Sequence, residues 1–161
     1  NPLHDGHIQL AQVAKKILKT TLAFEISVIN VDKPSLTSNE VIGRLEQFPK
    51  DTDVLVSRSP LFSEKSRLFP NNTFVIGYDT ATRLVNPVYY ESKELEMYRS
   101  LQEIEQNGCT FLVAGRLVET SFHGLSDIEI PSCFKHLLEE IPESRYRVDQ
   151  SSSEIRERAN G

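Results

Sequence analysis

Two histidines near the start of the chain, His4 and His7, have the type and spacing that most directly suggest chemistry. Gly6 lies between them and an apolar, periodic segment follows, so the pair sits where a helix begins. A helix start offers free backbone N–H groups and the positive end of the helix dipole, which together bind anions. Two imidazoles on one face add donors, so this turn can hold a phosphate under attack. The plain alternative is a capped helix start with incidental histidines.

A zinc site is a weaker alternative for the two histidines, because two ligands at helical spacing still need a third. The remaining candidate ligands are scattered along the chain without supporting spacing: His123, His136, Cys109 and Cys133. The two cysteines are most simply buried, inert thiols, and they lack paired C-x-x-C spacing. We therefore predict no protein-built metal site, and we expect a reducing, intracellular, cytoplasmic setting.

A second candidate phosphate site lies near the other end of the chain, in the segment 151–156. Ser151 and Glu154 have the spacing of a capping box, which is the structural interpretation of this segment. That interpretation leaves the run of three serines and Arg156 unexplained. Serine hydroxyls and free N–H groups at a helix start, with an arginine one turn in, also form a phosphate cradle.

Length and charge restrict the class of protein. The chain of 161 residues is expected to be one domain, 1–161, with enough hydrophobic residues for an ordinary core. A net charge of −5 and a pI near 5.4 argue against nucleic acid as the partner. No apolar run approaches the roughly 18 residues of a membrane span. The chain opens within a motif and without Met, so we expect a fragment of a longer protein, with room for a fused domain or a homo-oligomer.

Helix and strand patterns alternate along the chain and must position these residues. Helices are predicted over 8–20, 37–48, 60–68, 78–85, 91–107 and 131–140, and strands over 22–31, 53–56, 73–77, 110–114 and 145–149. A further helix is predicted to start at Ser151. The alternation predicts an α/β domain, a Rossmann-like three-layer α/β/α fold with a mainly parallel sheet. Because the opening turn is itself a strand-to-helix loop, we expect a first strand upstream of residue 1.

Ligands of parallel sheets bind beyond the carboxyl ends of the strands, and several chemistry-bearing residues fall at such junctions. They are Lys33, Gly77, Asp79 and Arg116. Asp79 can accept hydrogen bonds from ribose hydroxyls, or it can be a helix N-cap and nothing more. Lys33 and Arg116 can likewise be ordinary solvated charges. The helix over 91–107 is predicted to bury Leu95 with its other apolar residues.

Taken together, these junctions resemble the HxGH-motif, cytidylyltransferase-like nucleotidylyltransferase superfamily. Asn1-Pro2-Leu3-His4-Asp5-Gly6-His7 is similar to its F-N-P-x-H-x-G-H signature, and Ser151 to Arg156 is similar to its closing I-S-S-T-x-I-R signature. Gly77-Tyr78-Asp79 and the strand ending in Arg116 resemble the nicotinamide mononucleotide (NMN) adenylyltransferase branch. Gln150 and Ser153 depart from the closing signature. The chain also lacks tryptophan, on which that branch commonly stacks nicotinamide.

The resemblance implies a reaction and assigns roles. A nucleotidyl group, with ATP favoured as its donor, would pass to a phosphate-bearing acceptor such as NMN or nicotinic acid mononucleotide, releasing pyrophosphate. The implied catalytic residues are His4, His7, Lys33 and Arg156; the nucleotide-binding residues are Asn1, Pro2, Gly6, Ser151, Ser152, Ser153 and Arg156; the acceptor or ribose residues are Gly77, Asp79 and Arg116. Mg²⁺ would be held mainly by substrate phosphates. The partners would be small-molecule nucleotides.

Three alternatives stay open within this resemblance. The donor could be CTP and the acceptor an alcohol phosphate, as in cytidylyltransferases. The acceptor could instead be phosphopantetheine. From a different class, the chain could be a catalytically weak nucleotide-binding module attached to another domain.

Overall fold

Parallel strands alternate with helices in the computed structural model, which describes residues 3–31, 34–118 and 120–147. The helices are α1 (Asp5–Leu18), α2 (Ser38–Leu45), α3 (Phe62–Leu68), α4 (Tyr78–Leu84) and α5 (Glu94–Gln106). The strands are β1 (Phe24–Ser27), β2 (Val54–Ser57), β3 (Thr73–Gly77), β4 (Thr110–Ala114), β5 (Arg116–Val118), β6 (Ser121–His123) and β7 (Leu138–Ile141). Short 3-10 helices cover Pro87–Tyr90, Leu125–Asp127 and Ser132–Leu137. The predicted α/β, Rossmann-like class is confirmed.

The strands form three groups. β1 pairs with β2 in parallel, and β3, β4 and β7 form a parallel sheet in the order β3-β4-β7. β5 and β6 form a separate antiparallel hairpin. The register places Gly77, the last residue of β3, beside Ala114, the last residue of β4. The carboxyl ends of these two strands therefore lie at the same edge of the sheet.

β4 forms the centre of the core and is covered on both faces. Phe111 and Val113 pack in one cluster with Leu101 of α5, whereas Leu112 and Ala114 pack in another with Ala14 of α1. Successive strand residues point to opposite faces, so α5 lies on one side of the sheet and α1 on the other. This arrangement supplies the predicted three layers. Among the residues with described structure, every helix falls short of the length and hydrophobicity that a membrane crossing requires.

The helix predicted over 131–140 is wrong. Residues Ser132–Leu137 form a 3-10 helix and Leu138–Ile141 form β7, which pairs with β4. The strand predicted over 145–149 is also wrong where it is described, because the N–H groups of Arg145 and Tyr146 both donate to the Pro142 carbonyl, at 2.8 and 3.3 Å. Pairing with the buried strand β4 favours an extended conformation for residues 138–141. The spacing of the apolar residues in this segment also fits a helix.

The region before α5 also differs from the prediction. Glu91 and Ser92 have φ values of 56° and 57°, which a helix cannot accommodate, so α5 begins at Glu94 rather than at residue 91. Leu95 is 61% exposed, so its predicted burial is wrong. Gly108, with φ +68°, follows the helix as the left-handed residue expected there. The hairpin of β5 and β6 was not predicted.

Candidate functional site

The start of α1 brings the two histidines together. His4 is the extended N-cap residue, with φ −146° and ψ 167°, and its carbonyl accepts hydrogen bonds from the N–H groups of His7 and Ile8, at 2.9 and 3.4 Å. The two imidazole rings stack with their centroids 3.8 Å apart and an interplanar angle of 27°. The helix begins at Asp5, earlier than the predicted residue 8, so His7 lies in its first turn. Both histidines therefore belong to the helix start, where backbone N–H groups lack partners within the helix.

Burial keeps both histidines neutral near neutral pH. Burial, with a smaller contribution from the neighbouring His4, lowers the pKa of His7 to about 4. Burial also lowers the pKa of His4, although the Asp5 carboxylate partly opposes this effect. A neutral imidazole carries one N–H donor and one acceptor nitrogen. Each ring can therefore donate a hydrogen bond to a phosphate oxygen without bringing a resident positive charge.

Gly6, between the histidines, is tied to a residue far along the chain. The Tyr146 hydroxyl donates a hydrogen bond of 3.0 Å to the Gly6 carbonyl. Tyr146 also packs on the cluster that contains Leu112 and Ile141, and burial raises the pKa of its hydroxyl. Tyr146 therefore contacts the histidine turn. In the sequence it lies a few residues before the segment 151–156, where the serine cradle is predicted.

Several predicted site residues lie outside the described residues. They are Asn1, Pro2, Lys33, Ser151, Ser152, Ser153 and Arg156. Their assignments remain predictions.

The predicted acceptor or ribose residues lie together at the carboxyl edge of β3 and β4. Asp79 lies in the first turn of α4, two residues after Gly77, and its carboxylate forms an ion pair with the Arg116 guanidinium. An added Cβ at Gly77 would meet nothing within 4 Å, so the described neighbours do not require glycine there. Their proximity follows from the register, since β3 and β4 end side by side.

Two neighbouring cavities, which share lining residues, lie in the described part of the chain. One, of about 290 Å³, is lined by His7 and by charged residues that the sequence did not single out as site residues: Glu25, Arg44 and Lys65. The other, of about 310 Å³, is lined by Lys65, Arg83, Tyr89 and Tyr90 among others. Both volumes reach or approach the lower end of the range typical of small-molecule sites.

Lys65 is the most informative residue that sequence reasoning missed. It is only 7% exposed, on a helix whose other cationic residue, Arg67, is exposed. The only sequence signals were its position on the apolar face of the helix that follows Pro60, and a single charged residue, Glu25, inside a mostly apolar strand. The two side chains form an ion pair of 2.6 Å.

The described residues offer no metal centre. Across 3–31, 34–118 and 120–147, His, Cys, Asp and Glu side chains form no group of three or more that could hold an ion. Of the two free cysteines, Cys109 is buried, as expected for an inert thiol, whereas Cys133 is exposed.

Comparison with known proteins gives one match. The family model described as cytidylyltransferase-like matches residues 1–158, a span that includes both the histidine turn and the serine segment. In the other two comparisons, no curated protein and no solved structure matches the chain.

Proposed function

The chain belongs to the cytidylyltransferase-like family of nucleotidylyltransferases, and on that premise we propose that it transfers an adenylyl group from ATP to a phosphate-bearing mononucleotide, such as NMN or nicotinic acid mononucleotide. The observation that supports this proposal most directly is the stacked pair of neutral histidines at the start of α1. His7 lines a cavity large enough for part of a nucleotide.

The proposed reaction is an in-line displacement. An oxygen of the acceptor phosphate forms a bond to the α-phosphorus of ATP as the bond to the β-phosphate oxygen breaks, and pyrophosphate leaves with that electron pair. The protein needs no nucleophile, so its contribution is positioning and stabilisation of developing charge. His4 and His7 donate hydrogen bonds to the α-phosphate oxygens as their charge increases.

The remaining roles in this proposal rest on the family resemblance. Ser152, Ser153 and Arg156 hold the β- and γ-phosphates, which become the leaving pyrophosphate. Lys33 contacts the acceptor phosphate, and Asp79, which already lies beside Arg116, contacts sugar hydroxyls. Mg²⁺, when bound, neutralises phosphate charge. It would be held mainly by substrate phosphates and water, the oxygen ligands that this hard cation prefers.

The test is pyrophosphate release by the full-length protein with ATP or CTP, against NMN, nicotinic acid mononucleotide and phosphocholine. His7→Ala should lower turnover about 10²–10³-fold, which is the usual loss for one transition-state donor. His136→Ala is the matched control, because His136 is exposed and paired with Glu105 on the surface. Near-normal turnover in His7→Ala would remove His7 from the mechanism.

A second candidate is cytidylyl transfer from CTP to an alcohol phosphate. The absence of tryptophan favours it, because the nicotinamide stacking residue common in the NMN branch is missing. Faster pyrophosphate release with CTP and phosphocholine than with ATP and NMN would select this candidate. ATP binding by calorimetry, with no pyrophosphate released on any acceptor, would indicate a nucleotide-binding module instead.

A further inference from the structure

The two cavities meet at three residues that line both of them: Ser27, Asn30 and Lys65. One cavity contains His7, the proposed contact of the α-phosphate. In-line transfer requires the acceptor phosphate to lie next to the α-phosphate of the donor. The junction of the two cavities is where an acceptor in the second cavity can meet a donor beside His7.

Lys65 is held in a defined position at this junction. Its ammonium donates to Glu25 Oε2 at 2.6 Å, and the other oxygen of that carboxylate accepts a hydrogen bond from the Ser57 hydroxyl. The ammonium also lies 5.5 Å from the centroid of the Phe62 ring. An ammonium has three N–H donors, so pairing with Glu25 leaves donors for a bound anion.

The charge around the two cavities favours an anion. Among the residues that the structure describes, three cationic side chains line them, Arg44, Lys65 and Arg83, against one carboxylate, that of Glu25. A carboxylate beside a lysine orients the ammonium, and the surplus of positive charge offsets its repulsion of a phosphate.

The second cavity has the chemistry of a ring-binding site. Phe62, Tyr89 and Tyr90 line it, and Arg83 lies 5.5 Å from the centroid of the Tyr89 ring. Aromatic and guanidinium faces bind planar rings by stacking. These side chains can take the role that tryptophan has in other NMN-binding enzymes.

We propose that Lys65 binds the phosphate of the acceptor at the junction of the two cavities, and that the acceptor's aromatic or heteroaromatic ring occupies the cavity lined by Phe62, Tyr89 and Tyr90. This inference rests on the proposed function and deepens it. It names the acceptor class as a ring-bearing monophosphate and adds Lys65, a residue outside both signature motifs, to Lys33 as a contact of the acceptor phosphate. The competing explanation is that the Lys65–Glu25 pair only ties α3 to β1.

The decisive measurement compares ligands with and without the phosphate. Calorimetry on the full-length protein uses NMN and its dephosphorylated counterpart, nicotinamide riboside. Lys65→Gln should weaken NMN binding about 10- to 100-fold, the loss expected for one charge-assisted hydrogen bond in a partly dry site, and should leave riboside binding within about twofold. Equal weakening of both ligands, or no weakening of NMN, overturns the proposal.

Two further variants separate binding from folding. Glu25→Gln keeps an acceptor for Lys65 and retains the cation, so NMN affinity should change less than about tenfold. If the pair is only structural, Lys65→Gln and Glu25→Gln should instead lower the unfolding midpoint alike, with the same effect on NMN binding. Lys93→Gln is the matched control, because it breaks an exposed Lys–Glu pair of similar length, 2.7 Å, on the surface.

Failure of the Lys65 proposal can be distinguished from failure of the proposed transfer reaction. If the wild-type protein binds NMN but releases no pyrophosphate with any acceptor, the proposed transfer fails while the comparison of NMN with riboside still tests Lys65. If the wild-type protein transfers to phosphocholine and does not bind NMN, the ring-bearing acceptor class is refuted. Where transfer occurs with NMN, Lys65→Gln should raise the KM of NMN and leave the KM of ATP within about twofold.

Discussion

Acidification should destabilise this protein through His7, in a definite pH window. The native ring has a pKa of about 4, against 6.5 for the ordinary histidine of an unfolded chain. Between these values the unfolded chain binds the proton more readily than the native protein does. The free energy of unfolding should therefore be constant above about pH 7 and fall as the pH drops from 6.5 towards 4.

The magnitude follows from the size of the shift. At about 1.4 kcal/mol per pH unit, a change from 6.5 to about 4 gives an upper bound of roughly 3.5 kcal/mol. The ring is only half-buried, and water screens part of the effect, so we expect about 1–2 kcal/mol. The stacked His4 ring contributes to the same window, because its own pKa is lowered.

The assay is urea denaturation of the wild-type protein and of His7→Asn at several pH values from 8 to 4. The variant keeps a polar side chain that does not titrate in this range. The wild type should therefore lose about 1–2 kcal/mol relative to the variant between pH 6.5 and 4. Proton NMR of the ring gives the pKa directly. A difference that stays flat with pH, or a His7 pKa of 6.5 or above, would refute the argument that burial keeps this ring neutral.

Three further substitutions test the packing around the site. Tyr146→Phe removes the hydroxyl that donates to the Gly6 carbonyl, so unfolding free energy should fall by about 0.5–1.5 kcal/mol and pyrophosphate release should slow; no change in either would contradict a positioning role. Arg116→Ala breaks an exposed ion pair with Asp79, so denaturation should show a loss under about 1 kcal/mol while substrate KM rises; a larger loss of stability would mean that the pair is mainly structural. Leu101→Ala should cost about 2–5 kcal/mol in the same assay, because Leu101 is fully buried. A loss below 1 kcal/mol would show that this core can collapse around the gap.

The sequence predicted best the elements whose signals are local. Both β3 and β4 have the predicted bounds, because each is a continuous apolar run between turn residues. The helix predicted over 131–140 is wrong because Phe134, Leu137 and Leu138 have the i, i+3, i+4 spacing of a helix, although residues Leu138–Ile141 form a strand. Pairing with β4 decides between helix and strand for this segment, and the local sequence pattern gives no information about that partner.

The contacts of the candidate site also differ in whether local sequence signals predict them. The histidine pair and the meeting of Asp79 with Arg116 follow from motif spacing and from the edge at which parallel strands end. The pairing of Lys65 with Glu25 joins residues 40 positions apart. Nothing local to either residue indicates that contact, so the junction of the two cavities becomes visible only in the folded chain.

The hydrogen bond from Tyr146 to Gly6 has a consequence for biosynthesis. It joins positions 140 residues apart, so it closes a loop that contains most of the chain. During synthesis, α1 leaves the ribosome well before Tyr146, which follows β7. The turn that carries the histidines therefore lacks this anchoring contact until the chain has been made as far as Tyr146.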